Sequence, residues 1–221
     1  MPVAFADLAQ TCAPTVAVET VAAVASLESA FSPFAIRINS GLPLHEVPKT
    51  KAEAIEVATT LIAQHQDVDL GLGGVNADDL GRLDLTVADA FEPCANLKAT
   101  ARLLDGYYRV AINGGATPAK AETVMLQSYY GRGDASVGEM VGYDKQVRVE
   151  AKRLQPKLAA LIIEPANTPG AADTAEAPAL AQAAGPAAPR REAKPAPWDV
   201  FTMGRRSSVL VFQNEKPEQT E

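Results

Sequence analysis

In the stretch VASLESAFSPF, residues 24 to 34, a glutamate occupies a position that spacing reserves for an apolar side chain. At about 100° per residue, Ala17, Val21, Val24 and Glu28 gather on one side of a helix, while Glu19, Ala23 and Ser26 gather on the other. A carboxylate turned toward a core is costly unless it is hydrogen-bonded, paired with a cation such as Arg37, or kept protonated by a raised pKa. A raised pKa is what a general acid needs near neutral pH. Periodicity alone leaves a buried ion pair and a general acid both open for Glu28.

The other residues with chemical potential form no comparable pattern. Asp67, Asp69, Asp78 and Asp79 flank a glycine-rich stretch in which nothing buries or orients them, so each reads as a solvated loop carboxylate. His45 and His65 belong to no ligand-spaced cluster, so no metal is expected. His65 is expected to face the C-terminal end of its helix. Cys12 and Cys94 are the two cysteines of the chain. Bridged, they would close a long loop and stabilise the fold by about 3 to 5 kcal/mol; unbridged, they would be two buried thiols. Spacing leaves both readings open, and the redox compartment decides between them.

The elements that must position these residues are mainly helical. A first helix is expected from about Thr15 to Ser29. A second follows the pattern Thr50-Lys51-Ala52-Glu53, a capping box, with Ile55, Ala58 and Ile62 on one stripe. The third sets Leu97, Ala101, Leu104, Tyr108 and Ala111 at helical spacing before the stop signal Asn113-Gly114-Gly115. A fourth opens with Thr117 as cap and Pro118 at its first position and ends at Gly131. The fifth places Tyr143, Val147, Ala151, Leu154 and Leu158 on one face. Two irregular stretches, NSGLPLHEVP and LGLGGVN, are expected to supply short strands or the walls of a cleft.

Past Glu164 the composition turns to Ala and Pro without apolar periodicity, which cannot build a core. The expected organisation is therefore a domain over 1–163, an Ala/Pro-rich disordered linker over 164–197 and a short tail over 198–221. Trp198, Val200, Phe201 and the run Val209 to Phe212 make that tail either a docking peptide or a terminus without function. A net charge of −7 and a pI near 5.0 offer no broad basic field, so no nucleic-acid partner is expected. No apolar run approaches the roughly 20 residues of a membrane span. Ala4, Phe5 and Ala6 form a small-x-small triplet before Asp7, like the end of a signal peptide whose n-region and apolar stretch do not precede it here. An upstream start or a clipped form is one reading of that triplet, and coincidence the other.

Taken in order, Glu28-Ser29 with Pro33 and Ala35-Ile36, then Gly71-Leu72 with Val75-Asn76, then Ser128-Tyr129-Tyr130-Gly131, resemble the lytic transglycosylases of the goose-type lysozyme superfamily. Cys12-Ala13-Pro14 and the later Phe91, Pro93, Cys94, Asn96 and Leu97 resemble the branch that serves type IV secretion systems. The resemblance spans about residues 5 to 155. It implies a lysozyme-like α+β fold and a single catalytic acid and base, Glu28, acting on the β-1,4 bond between N-acetylmuramic acid and N-acetylglucosamine of peptidoglycan. Ser29 would place the N-acetyl group, Tyr129 and its neighbour Tyr130 would line the cleft, and Leu72, Val75 and Asn76 would form the opposite wall. It also implies no cofactor, a periplasmic location, secretion-system components as partners, and a Cys12–Cys94 disulfide.

This chain departs from the family at three positions. Gly73 and Gly74 stand for a methionine and a glutamine, and Tyr130 for an asparagine. The first two changes remove an apolar wall and a substrate-contacting amide. Activity is then either weak or restored by another side chain, such as Arg132. Two competitors to the transglycosylase reading are a hydrolytic lysozyme, which would use water and one of the aspartates, and a wall-binding assembly factor that is not an enzyme.

Overall fold

Five consecutive residues, Val21, Ala22, Ala23, Val24 and Ala25, have no exposed surface. A helix buried on every face needs small side chains so that neighbours can approach from all sides, and three of these five are alanines. The computed structural model describes residues 3–39 and 41–163. In chain order its elements are β1 (Val3–Ala4), α1 (Phe5–Cys12), α2 (Val18–Ser29), β2 (Ile36–Ile38), α3 (Lys51–Ala63), β3 (Val68–Leu70), β4 (Val75–Asn76), α4 (Leu80–Leu83), α5 (Val87–Ala90), α6 (Pro93–Asn113), α7 (Pro118–Tyr130), α8 (Ala135–Val141), α9 (Tyr143–Leu154) and β5 (Ile162–Ile163). The class is mainly α and lysozyme-like, with small antiparallel sheets. One sheet has the order β2-β3-β4, and the other pairs β1 with β5.

The central α2 divides the core. Ala23 and Val24 belong to a cluster with Val68, Leu70, Leu104, Leu126 and Tyr129. Val21, Ala22 and Ala25 belong to another with Phe5, Ala9, Leu72, Leu97 and Leu154. The reading of α2 as two-sided is thereby corrected: Ala23, on the supposed outer face, is as buried as Val24. The expected first helix also begins later than Thr15. Pro14 cannot continue the preceding turn, so α1 ends as its own eight-residue helix, and α2 starts at Val18.

The other helix signals land close to where the residues put them. Thr50 accepts the Glu53 N–H, although Glu53 reaches back to the N–H of Lys49 rather than that of Thr50. α6 stops at Gly114, and α7 runs from a Thr117 cap to Gly131. α9 ends at Leu154, so Leu158 falls in the 3-10 turn that follows. The short α8, capped by Asp134, was not expected. LGLGGVN supplies the end of β3, a tight turn and β4, whereas the described part of NSGLPLHEVP holds no strand.

Cys12 and Cys94 are bonded, with Cα atoms 5.3 Å apart across 82 positions of sequence. The bridge fastens the end of α1 to the first turn of α6. The triplet Ala4-Phe5-Ala6 is built into the fold: the Phe5 N–H donates to the Leu161 carbonyl at 2.8 Å, and the Phe5 ring is buried edge-on against Phe31. The expected linker over 164–197 and tail over 198–221 lie outside the described residues.

Candidate active site

Glu28 sits in the last turn of α2. Immediately afterwards Ala30 (φ 50°) and Phe31 (φ 64°) adopt left-handed backbone, which ends the helix and sends the chain back toward β2. Strand β2 carries Arg37, and its Nη2 comes to 2.6 Å from Glu28 Oε2. From the other side the Tyr143 hydroxyl on α9 donates to Oε1 at 2.5 Å. The Glu28 side chain is only 3% exposed. Burial pushes its carboxyl up from the ordinary value, opposed by the Arg37 charge and the Tyr143 hydrogen bond. The ion pair and the raised acid, alternatives in the sequence, coexist in one carboxyl group. Burial and the Glu28 charge also push Tyr143 well above the usual phenol range, so it remains a donor.

One wall beside Glu28 is the turn Gly71 to Gly74, and it is held from several directions. The Ser29 hydroxyl lies 2.8 Å from both the Ala25 and the Leu72 carbonyl oxygens. The Tyr129 hydroxyl donates to the Gly73 carbonyl at 2.7 Å. Asn96 accepts the Gly73 N–H at 2.7 Å and donates to the carbonyls of Leu70 and Ala90. The two departures at this turn have a steric basis. A Cβ at Gly73 would overlap the Thr100 hydroxyl, and Gly74, at φ +67°, would set one 3.1 Å from Glu28 Oε2.

Ser29, Leu72, Val75, Asn76 and Tyr129, expected to meet substrate, are therefore all close to the turn but buried within the fold. Asn76 donates to Asp67, Asp69 and the Val68 carbonyl, and accepts the Asp78 N–H. Ser29 and Tyr129 hold the turn, and Asn76 ties β4 to β3 and its flanks; these polar side-chain atoms are already occupied by protein.

On the Arg37 side of Glu28 the surface is charged and open. A cleft of about 510 Å³ is lined by Arg37, Ile38, Asp69, Tyr130, Arg132 and Val137, among others. Tyr130 is 38% exposed and lies ring to ring with Tyr143 at 5.1 Å. Arg132 is bonded to both Asp67 carboxylate oxygens at 2.9 Å. The reading of Asp69 as a solvated loop carboxylate is overturned. It is 5% exposed, lies opposite Arg37 across the sheet, and accepts Arg37 Nη2 at 2.8 Å and Nε at 3.2 Å. Asp67 is half-buried, Asp78 is exposed, and Asp79 pairs with Arg82. His45 is exposed, and His65 follows the C-terminus of α3 in left-handed backbone at φ 56°. Among the described residues no group of three His, Cys, Asp or Glu side chains is placed to hold a metal.

Tyr143 and Asp69 are the functional candidates that sequence reasoning missed. Tyr143 was legible only as a core position of its helix. Nothing in the spacing of Asp69 announces that a strand will set it against Arg37.

Comparisons with known proteins add the family. The type IV secretion system protein virB1 of Brucella abortus is 43% identical over 110 residues, half of this chain and 46% of its own length. The chain thus spans about half the length of the Brucella relatives it matches. The protein virB1 of Agrobacterium fabrum is 33% identical over 180 residues, 78% of this chain and 71% of its own. That of Rhizobium radiobacter is 35% identical over 157 residues, 70% and 63% of the two chains. No family model and no solved structure matches. With a relative above 30% identity covered over more than two thirds of its length, the chain belongs to the VirB1 family of type IV secretion system proteins.

Proposed function

We propose that this protein is a peptidoglycan lytic transglycosylase that opens the cell wall locally for assembly of a type IV secretion system. Glu28 is its catalytic residue. Protonated, it donates to the oxygen leaving from N-acetylmuramic acid as the β-1,4 bond breaks. As carboxylate, it then takes the proton of that sugar's own 6-hydroxyl, whose oxygen bonds to the anomeric carbon and closes a 1,6-anhydro ring. The nucleophile is already part of the bound sugar, so proximity supplies much of the rate and no water need be captured.

The observation that carries this reading is the state of the second carboxylate beside Glu28. A hydrolytic glycosidase needs another carboxylate free to activate water or attack the sugar. Asp69 is the buried candidate near Glu28, and both its oxygens are engaged, Oδ2 by Arg37 and Oδ1 by Asn76. That commitment favours attack from within the substrate. Because Ser29, Leu72, Val75, Asn76 and Tyr129 are buried, we assign them the support of the Gly71 to Gly74 turn, and assign sugar contact to the exposed Tyr130, Arg37 and Arg132. Arg132 compensates for the missing amide only by giving up part of its pairing with Asp67.

The wall lies in the periplasm, where the Cys12–Cys94 bridge persists. The partners are peptidoglycan and secretion-system components, with the 198–221 segment as docking peptide. The test is mass analysis of muropeptides released by wild type and Glu28→Gln. Products one water lighter than their hydrolysed counterparts, absent with Glu28→Gln, are expected. Products without the anhydro ring would make it a hydrolytic lysozyme. No release above Glu28→Gln would leave a wall-binding assembly factor.

A further inference from the structure

Glu28 and Asp69 share one cation. The Arg37 guanidinium lies 2.6 Å from Glu28 and 2.8 Å from Asp69 through the same Nη2, while its Nε also reaches Asp69 at 3.2 Å. The contacts are not equivalent. Arg37 and Asp69 are register partners on β2 and β3, and Asp69 is itself fixed by Asn76 on β4. The sheet therefore places the guanidinium whether or not Glu28 is charged. Glu28 comes to it from another element, with an Oε2 that accepts no well-directed hydrogen bond among the described residues. With Glu28 ionised, the group of three carries two negative charges and one positive; with Glu28 protonated, it is neutral.

Resting on the transglycosylase reading above, we propose that Arg37 and Asp69 are positioning residues that act on the Glu28 proton in opposite directions, Arg37 favouring the carboxylate and Asp69, through the same guanidinium, favouring the acid. A single residue serving as acid and then base must reach both states in one turnover. Arginine alone would draw Glu28 toward the carboxylate with only burial to oppose it. An unpaired buried aspartate would hold it protonated and unable to accept. The shared cation keeps the two states close in free energy. Glu28 is faced by Arg37 from β2, Asp69 from β3, Tyr143 from α9 and, more distantly, Tyr129 from α7. The two tyrosines stay neutral across the working range, which leaves Arg37 and Asp69 as the charges that set the balance.

The test reads Glu28 directly, by carbon NMR titration of its side-chain carboxyl in the full chain, alongside the pH profile of muropeptide release. Arg37→Gln should move the Glu28 midpoint and the alkaline limb of activity upward. Asp69→Asn should move both downward, and Arg37→Lys, which keeps the charge, should leave the Glu28 midpoint near its wild-type position. Asp69→Asn is isosteric and decides the question even if Arg37→Gln folds poorly. Shifts of the same sign in Asp69→Asn and Arg37→Gln, or an Asp69→Asn midpoint within about 0.5 pH unit of wild type, would overturn the proposal. If no variant or wild type releases muropeptides while the midpoints move as described, the enzymatic reading fails and the charge arrangement stands. If muropeptides are released while the midpoints stay put, the charge arrangement fails and the enzymatic reading stands.

Discussion

The two walls that meet at Glu28 are made differently. On one side the Gly71 to Gly74 turn is gripped by neutral donors and acceptors, Ser29, Asn96 and Tyr129, all below 10% exposure. On the other, Arg37, Asp69, Arg132 and Asp67 form a chain of opposite charges along an open cleft, with the two arginine side chains 43% and 38% exposed. Buried neutral hydrogen bonds fix geometry, because a lost partner leaves an unsatisfied group with no water to replace it. The exposed Arg132–Asp67 pair contributes little to stability and is free to exchange partners, while the buried Asp69 keeps Arg37 in place. The inner wall is built as scaffold, and the outer wall is the surface that the proposed function assigns to the sugar.

The comparison breaks most readily at Asn96. Removing its side chain orphans the Gly73 N–H and the Leu70 and Ala90 carbonyls together, so Asn96→Ala should cost about 3 kcal/mol. Urea unfolding measures this as a lower midpoint at unchanged slope. A cost below about 1 kcal/mol would mean that the turn stands without its grip. Tyr129→Phe removes a single donor, from the Gly73 carbonyl, and should cost about 1 to 2 kcal/mol, whereas Tyr130→Phe on the exposed side should cost nothing measurable. Equal losses at the adjacent tyrosines would erase the distinction between walls.

The residues that sequence could show were those whose role is local. Thr117 with Pro118 and the stop at Asn113-Gly114 depend on a few neighbours along the chain, and α6 and α7 appear where they point. Glu28 was legible for the same reason, since helical spacing sets it in line with Val21 and Val24, although the opposite face of α2 is buried as well. Ser29, Asn76 and Tyr129 lie near the Gly71 to Gly74 turn with their polar atoms turned into the fold, which the motif did not indicate. A motif names which residues gather around a site without saying which atoms face outward. Asp69 and Tyr143 depend on contacts with distant segments, one across a strand pair and one over 115 positions of sequence, and no short-range pattern encodes them.

Between the walls, Glu28 itself gives a smaller effect whose sign is diagnostic. Burial raises its carboxyl above the ordinary 4.5, so the folded state holds the proton more tightly than the unfolded chain does. The stability linked to that proton is fully present below the ordinary carboxylate value and is lost as pH rises through the folded one. Glu28→Gln, which cannot ionise, escapes that loss. Its stability relative to wild type should therefore increase from pH 4.5 upward until Glu28 is fully ionised and then level off. Thermal or urea unfolding across that range measures it. A relative stability that instead falls with pH would mean that Arg37 and Tyr143 outweigh burial.

The smallest effect belongs to Arg132, and it sharpens the outer wall. The bond to Asp67 is between half-exposed groups, so Arg132→Ala should lose no more than about 0.5 kcal/mol on that account. The residue also sits at φ 52°, between Gly131 and Gly133, in backbone that costs an ordinary residue about 1 kcal/mol or more and costs glycine almost nothing. Arg132→Gly therefore relieves strain while breaking the pair and should unfold within about 0.5 kcal/mol of wild type. Left-handed backbone also follows α2 at Ala30 and Phe31 and α3 at His65, so the backbone alone identifies no use for the side chain; the place of Arg132 at the cleft, in a pair that hardly stabilises the fold, makes that use the thing to test. If Arg132→Gly matches wild type in unfolding but requires more peptidoglycan for half-maximal release, that use is substrate contact. If both measurements stay at wild-type values, the sugar-contacting set shrinks to Arg37 and Tyr130.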